Sequence, residues 1–173
     1  MDIKKVILGL ALSLLLGSGV LAAATDYDKG YSAWFRGDHK AALEEFVPLA
    51  EQGNAKAQFY LGYMYDKGQG LLENHAKALE WITKSAVQGN GRSQNYLGLM
   101  YEKGRGVSRD ITKAYMWLNL ADYNNSIHAS GNKIRLTKGE SIFKMPFEAM
   151  TISDISKAQD MSSRCLESNY TDC

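Results

Sequence analysis

The sequence contains little proline and few histidines. Among its 173 residues, Pro48 and Pro146 are the only prolines. Because proline breaks helices and the glycines recur at regular positions, this composition favours helices joined by repeated turns. The three histidines (His39, His75 and His128) share no helical spacing with one another or with a carboxylate pair. We therefore predict no metal site and no cofactor.

Neither charge is in excess. The chain has 20 basic and 19 acidic residues, and 18 of each remain once the first 24 residues are set aside. A nucleic-acid-binding protein needs a net positive face for its phosphate contacts, so we predict no nucleic-acid partner.

Motifs for catalysis are also missing. The chain has no G-x-S-x-G motif, and Glu44 and Glu45 are adjacent, which sets them about 100° apart on a helix. The G-x-G pairs at Gly68 and Gly104 precede polar loops, whereas a phosphate-binding loop follows a strand and opens a helix. The sequence predicts no catalytic residues, and we expect the protein not to be an enzyme.

One long apolar run lies at the N-terminus. Lys4 and Lys5 precede an apolar stretch, and residues 22–24 are three alanines, a pattern that predicts a signal peptide over residues 1–24 with cleavage after Ala24. The run is shorter than the roughly 20 residues that a membrane-spanning helix needs, although a short anchor is the alternative. We expect a periplasmic or secreted protein with no stable membrane insertion.

Both cysteines fall near the C-terminus. In an exported protein, Cys165 and Cys173 are expected to form a disulfide. The closed loop of about nine residues would contribute about 2.5 kcal/mol to stability. A redox or metal-binding pair is the alternative, but the spacing fits neither C-x-x-C nor common zinc sites.

A ten-residue phrase occurs twice. LGYMYDKGQG begins at Leu61, and LGLMYEKGRG begins 36 residues later and keeps seven of its ten letters. A period of 36 residues is the length of a helix pair. Each copy has a glycine inside the first helix, which predicts close approach of a neighbouring helix, and a glycine that ends this helix in a left-handed conformation. Asn74 and Asp110 occupy the position that caps the second helix.

The full repeat resembles a known family. The pattern A-x-A-x-x-x-L-G-x-x-Y-x-x-G-x-G from Ala55 to Gly70, followed by K-A-x-x-W from Lys77 to Trp81, closely resembles the Sel1-like repeat, a relative of the tetratricopeptide repeat. The resemblance covers residues 55–126. It implies an all-α, right-handed α-solenoid of antiparallel helix pairs.

The predicted domain organisation follows from this repeat. After the signal peptide come a tetratricopeptide-like helix pair (25–54), two Sel1-like repeats (55–90 and 91–126) and a C-terminal helical cap with the disulfide (127–173). Thr151 with Asp154 forms a capping-box pattern, so a terminal helix is predicted from Ser153 to Leu166. The fold of residues 124–150 stays open because their periodicity is weak.

The resemblance also implies a binding face. In tetratricopeptide-type arrays the first helix of each pair lines the concave groove. The positions carried over to this chain are Tyr27, Tyr31, Trp34, Phe59, Tyr63, Asp66, Asn95, Leu99 and Glu102. Aromatic residues are enriched at binding hot spots, but at this spacing they can equally be core. Tyr60, Met64, Trp81 and Trp117 are predicted to pack in the core.

Three functions are compatible with these features. Sel1-like proteins commonly act as adaptors, so we expect a monomeric, non-catalytic scaffold that binds a protein or peptide partner in envelope processes or host contact. The alternative is an envelope enzyme acting on cell-wall or β-lactam substrates. The β-lactam precedent among cysteine-rich relatives requires a cysteine pair in each repeat, and residues 55–126 contain none. Self-association through the solenoid ends is the third possibility.

Overall fold

The described residues form helices only. The computed structural model describes residues 26–129 and 150–173, so the predicted signal peptide and most of the segment whose fold stayed open lie outside them. Within those two ranges the chain has seven α-helices and no strand. The helices are α1 (Tyr27–Phe35), α2 (His39–Glu51), α3 (Ala55–Lys67), α4 (His75–Ala86), α5 (Gly91–Lys103), α6 (Ile111–Ala129) and α7 (Ile152–Glu167).

Each helix packs against its neighbours in chain order. Helices α1 and α2, α3 and α4, and α5 and α6 form three successive pairs, and α7 packs on α6. This arrangement confirms the predicted all-α solenoid. The observed α7 extends the predicted terminal helix by one residue at each end.

Side-chain caps begin the helices where the sequence predicts. Asn74 Oδ1 accepts from the Lys77 amide at 2.9 Å, and Asp110 Oδ1 accepts from the Lys113 amide at the same distance. Thr151 opens α7 with a reciprocal capping box to Asp154. Each cap satisfies a backbone N–H that the helix itself leaves without a partner.

The repeated glycines have the two predicted roles. Gly68 and Gly104 end α3 and α5 with φ angles of 62° and 66°, the left-handed region that favours glycine. A Cβ on Gly62 would lie 2.8 Å from Ile82 Cγ1, and one on Gly98 would lie 2.8 Å from Leu118 Cγ. The two helices of each repeat therefore pack at a distance that only glycine permits.

The apolar core consists of two larger clusters, one in the first two pairs and one that extends from α4 to α7, with Ala114 and Leu118 forming a small third cluster. Phe46, Leu61 and Met64 are fully buried or nearly so near the first two pairs, and Met116 and Leu120 are fully buried towards the cap. The predicted core residues Tyr60 and Trp117 are each 4% exposed, and Met64 is fully buried. Trp81 is half-buried and also packs against the core, and Lys84 Nζ lies 4.3 Å from its ring centroid.

A buried amide network links each pair to the one before it. Gln58 Nε2 donates to the Ala50 carbonyl, and Gln94, 36 residues later, donates in the same way to Ala86, both at 3.0 Å. The Oε1 atom of each glutamine also accepts a hydrogen bond from a side-chain amide near the C-terminal end of the second helix of the same repeat. The donors are Gln88 for Gln58 and Asn124 for Gln94, both at 2.7 Å. The repeat thus specifies polar as well as apolar contacts between units.

The disulfide holds the chain end against α7. Cys165 is fully buried in the core cluster that also contains Met116 and Leu120, and it is bonded to Cys173. Tyr170, in the enclosed loop, donates its hydroxyl to Asn124 Oδ1 at 3.0 Å. The disulfide fixes the chain end to α7, and the hydrogen bond to Asn124 connects this loop to α6.

Candidate functional site

Aromatic side chains of the first helices form a continuous surface, which we call the aromatic strip. Its members are Tyr27, Tyr31, Trp34 and Phe35 of α1, Phe59 and Tyr63 of α3, and Tyr96 of α5. Ring centroids lie 6.0 Å apart for Trp34 and Tyr63, and 5.6 Å apart for Tyr63 and Tyr96. These distances fall within the range of favourable aromatic pairs, so the strip connects three successive repeats.

Most side chains of the strip are neither fully buried nor fully exposed. Tyr31 is 38% exposed and Phe35 is 77% exposed, while the other five rings are half-buried. Beneath them lies Tyr60, whose ring contacts those of Tyr27 and Trp34 at 6.2 and 5.0 Å. The five predicted aromatic residues therefore come together on one accessible face.

Hydrogen bonding fixes the orientation of the indole. Trp34 Nε1 donates to Gln69 Oε1 at 2.9 Å, across 35 residues of sequence. Gln69 belongs to the turn after α3, so the following repeat sets the position of a side chain in the preceding one. A rigid aromatic residue loses little conformational entropy when a partner binds.

Asp66 occupies a different environment from the one expected. It is 2% exposed, and its carboxylate is held within the protein. Oδ2 accepts from the Tyr96 hydroxyl at 2.5 Å, from Arg105 Nη1 at 2.9 Å and from Lys67 Nζ at 3.0 Å. His75 Nδ1 lies 3.0 Å from Oδ1. With both oxygens occupied, this carboxylate has internal partners in place of an external one.

The same contacts shift the pKa values of Asp66 and Tyr96, which share the shortest of these hydrogen bonds. Burial acts to raise the pKa of the Asp66 carboxyl, but hydrogen bonds from Tyr96 and Lys67 and the charge of Arg105 outweigh it and hold the pKa below its usual range. Burial, together with the bond to Asp66, raises the pKa of the Tyr96 phenol. The Asp66 carboxylate therefore connects α3 with α4, α5 and the turn after α5.

The three predicted positions on α5 carry no ring. Asn95, Leu99 and Glu102 are all half-buried. Glu102 has the same register in its repeat as Asp66, and its backbone carbonyl accepts from Arg109 Nε at 3.0 Å. On α5 the aromatic strip therefore includes only Tyr96, and the three predicted positions add aliphatic and polar side chains.

A cleft of about 460 Å³ opens at one end of the strip. Its lining residues come from the starts of α1, α3 and α5 and from the turn before α5. They are Tyr27, Lys56, Phe59, Tyr60, Gly89, Asn90, Gly91 and Arg92. Lys56 Nζ lies 5.4 Å from the centroid of the Tyr27 ring, and Arg92 Nη1 donates to the Tyr60 hydroxyl at 3.1 Å.

Sequence reasoning missed several residues of this face. Phe35 and Tyr96 extend the strip, and Lys56 and Arg92 charge the cleft. A signal for the two cations was present, because they lie 36 residues apart and so occupy the same position in the two repeats. Phe35 carried no such signal, since the shorter first unit has a different turn.

The part of the chain that the structure describes contains neither a metal-binding group of side chains nor a membrane-spanning helix. Across residues 26–129 and 150–173, no group of three or more His, Cys, Asp or Glu side chains could hold a metal ion. Over the same two stretches, no helix has both the length and the apolarity needed to span a bilayer.

Comparison with known protein families identifies the two repeats. The profile of the Sel1 repeat matches residues 55–90 and 91–121. These two segments are Sel1 repeats. Proteins built from Sel1 repeats are generally non-catalytic scaffolds that bind other proteins. No curated protein matches the chain by sequence.

Two solved structures share the Sel1 fold. A Sel1 repeat protein from Oxalobacter formigenes is 33% identical over 61% of this chain and 44% of its own, with a TM-score of 0.56. A protective antigen of uropathogenic Escherichia coli strains, which displays an SLR fold, is 25% identical over 91% of this chain and 32% of its own, with a TM-score of 0.63. The chain spans less than half the length of either protein.

Proposed function

We propose that this protein is an exported, non-catalytic adaptor that binds a segment of a partner protein along the aromatic strip. The observation that carries the proposal is the continuity of the strip: seven rings on three successive first helices face the same side and remain partly exposed. Exposed aromatic residues on a rigid support are the usual anchors of protein interfaces.

Two features support a role in the envelope or in host contact. The N-terminal pattern is that of a signal peptide, and the disulfide between Cys165 and Cys173 is of a kind that persists in oxidising compartments. The antigen from uropathogenic strains is a further example of a bacterial protein with this fold. We propose the periplasm or the cell exterior as the site of action.

Photo-crosslinking in the native cells tests where the partner binds. Benzoylphenylalanine is introduced separately at Phe35, at Tyr31 and, as a control, at Ile152, which is 88% exposed on the cap. We expect a discrete crosslinked protein from the two strip positions and none from Ile152. Crosslinking from Ile152 alone, or from no position, would contradict the proposed binding face.

Substitution of the exposed rings gives an independent measure. The partner identified by crosslinking is expected to bind the Tyr31→Ala/Phe35→Ala variant at least tenfold more weakly, because hot-spot aromatic residues lose that much on truncation. Ile152→Ala removes a comparably exposed apolar side chain and should bind as the wild type does. Equal affinity of all three proteins would show that the partner binds elsewhere.

A further inference from the structure

The cleft beside the aromatic strip has an unbalanced charge. Lys56 and Arg92 are its only ionisable lining groups apart from tyrosines, and both side chains are exposed. Within the described residues, neither cation forms an ion pair with a carboxylate. Lys56 Nζ lies 5.4 Å from the Tyr27 ring centroid, and Arg92 donates one N–H to the Tyr60 hydroxyl. Both cations line the cleft with exposed side chains that carry further N–H donors.

The tyrosines at the cleft add neutral hydroxyl groups. Burial, together with the neighbouring Tyr60, raises the pKa of Tyr27 to about 12. Tyr27 therefore keeps its proton at any physiological pH and adds no negative charge to the cleft. An entering anion meets two cations, phenol hydroxyls and no carboxylate among the lining residues.

The cleft is continuous with the strip. Tyr27 and Phe59 belong to both surfaces, so a chain that places an apolar side chain on the strip has its next residues at the cleft. Lys56 and Arg92 occupy the same repeat position on α3 and α5, and the cleft opens between them. A volume of about 460 Å³ accommodates one or two side chains of a peptide.

From this juxtaposition we propose that the cleft binds a peptide carboxylate, supplied by an acidic segment of the partner that also places an apolar residue on the aromatic strip. The proposal rests on the proposed adaptor function and specifies the chemistry of its partner. An arginine fork pairs with a carboxylate through two N–H groups, and a lysine contributes a second charge from the opposite wall.

Fluorescence anisotropy with designed peptides tests this proposal. The probes are labelled octapeptides with one tryptophan, carrying either two adjacent glutamates or two glutamines, and ending in either a free or an amidated carboxyl group. We expect the exported protein to bind at least one acid-bearing peptide at least tenfold more tightly than the amidated glutamine peptide. The comparison of glutamate with free-terminus peptides identifies which carboxylate the cleft takes.

Matched variants assign that preference to the cleft. Lys56→Gln/Arg92→Gln should abolish the tenfold preference and its dependence on salt, because the charge pairs are lost. Lys103→Gln, at the other end of α5, makes a similar neutral substitution and should leave the preference unchanged. Circular dichroism confirms that the variants keep their helices.

Several outcomes would overturn the proposal. They are binding of no peptide, equal binding of acidic and neutral peptides, and an acidic preference that survives in the double variant. If crosslinking from Phe35 and Tyr31 still captures a partner, only the carboxylate assignment fails. If that crosslinking also fails, the adaptor function falls with it.

Discussion

At the scale of single residues, Asp66 shows how a buried carboxylate fixes the position of one repeat against the next. Its carboxylate bonds to Tyr96 and Arg105, 30 and 39 residues away. Replacing it by asparagine keeps the shape but weakens hydrogen bonds to charged groups, so we expect Asp66→Asn to lose about 1–3 kcal/mol of unfolding free energy at pH 7. Urea denaturation measures this loss, with Asp160→Asn, exposed on α7, as the control expected to change little.

The pH dependence of stability provides a second readout of the same carboxyl. Its folded-state pKa lies below the ordinary value of 3.8. The Asp66 contribution is therefore fully present above pH 3.8 and is lost as the pH falls through the folded-state value. We expect the gap in unfolding free energy between wild type and Asp66→Asn to narrow as the pH is lowered below 4. A gap that is constant with pH would mean that the charge is not the source of the stabilisation.

At the scale of helices, the glycine inside each first helix sets the packing distance. A Cβ on Gly98 would lie 2.8 Å from Leu118 Cγ and 3.0 Å from the Ala114 carbonyl oxygen. Alanine favours a helix by about 1 kcal/mol over glycine, but overpacking costs about 1–3 kcal/mol, and backbone atoms cannot yield as a side chain can. We expect Gly98→Ala to lower the melting temperature. Ser163→Ala, exposed on α7, should leave it unchanged or raise it slightly, and a rise for Gly98→Ala would contradict the packing role.

The helices were more predictable from sequence than the contacts between them. Caps such as Asn74 and the left-handed Gly68 follow from local chemistry that the repeat states twice. The sequence also predicted that Trp34, Asp66 and Glu102 occupy equivalent positions in the first helices of the three units. The burial of Asp66 was not, because it depends on Arg105 reaching back from the next repeat. Long-range partners of this kind carry no signal in helical periodicity.

At the scale of the whole molecule, we propose that helix α7 acts as a cap on the repeat array. Helix α7 covers α6, where Met116 and Leu120 are fully buried, and Ala158 of α7 is fully buried against this cluster. A repeat array needs such a covering, because its last unit has no following unit to bury its apolar face. With the cap in place, we expect the wild-type protein to be a monomer.

A charge beneath the cap should therefore change the state of association. Ala158→Glu buries a carboxylate that has no partner in the wild-type packing, and undocking of α7 avoids that cost by exposing the apolar face of α6. We expect concentration-dependent oligomers of this variant by size-exclusion chromatography with light scattering. Ser163→Glu adds the same charge on the exposed side of α7 and should stay monomeric. If wild type already self-associates and Ala158→Glu does not alter it, the solenoid end is itself an assembly surface and α7 does not act as a cap.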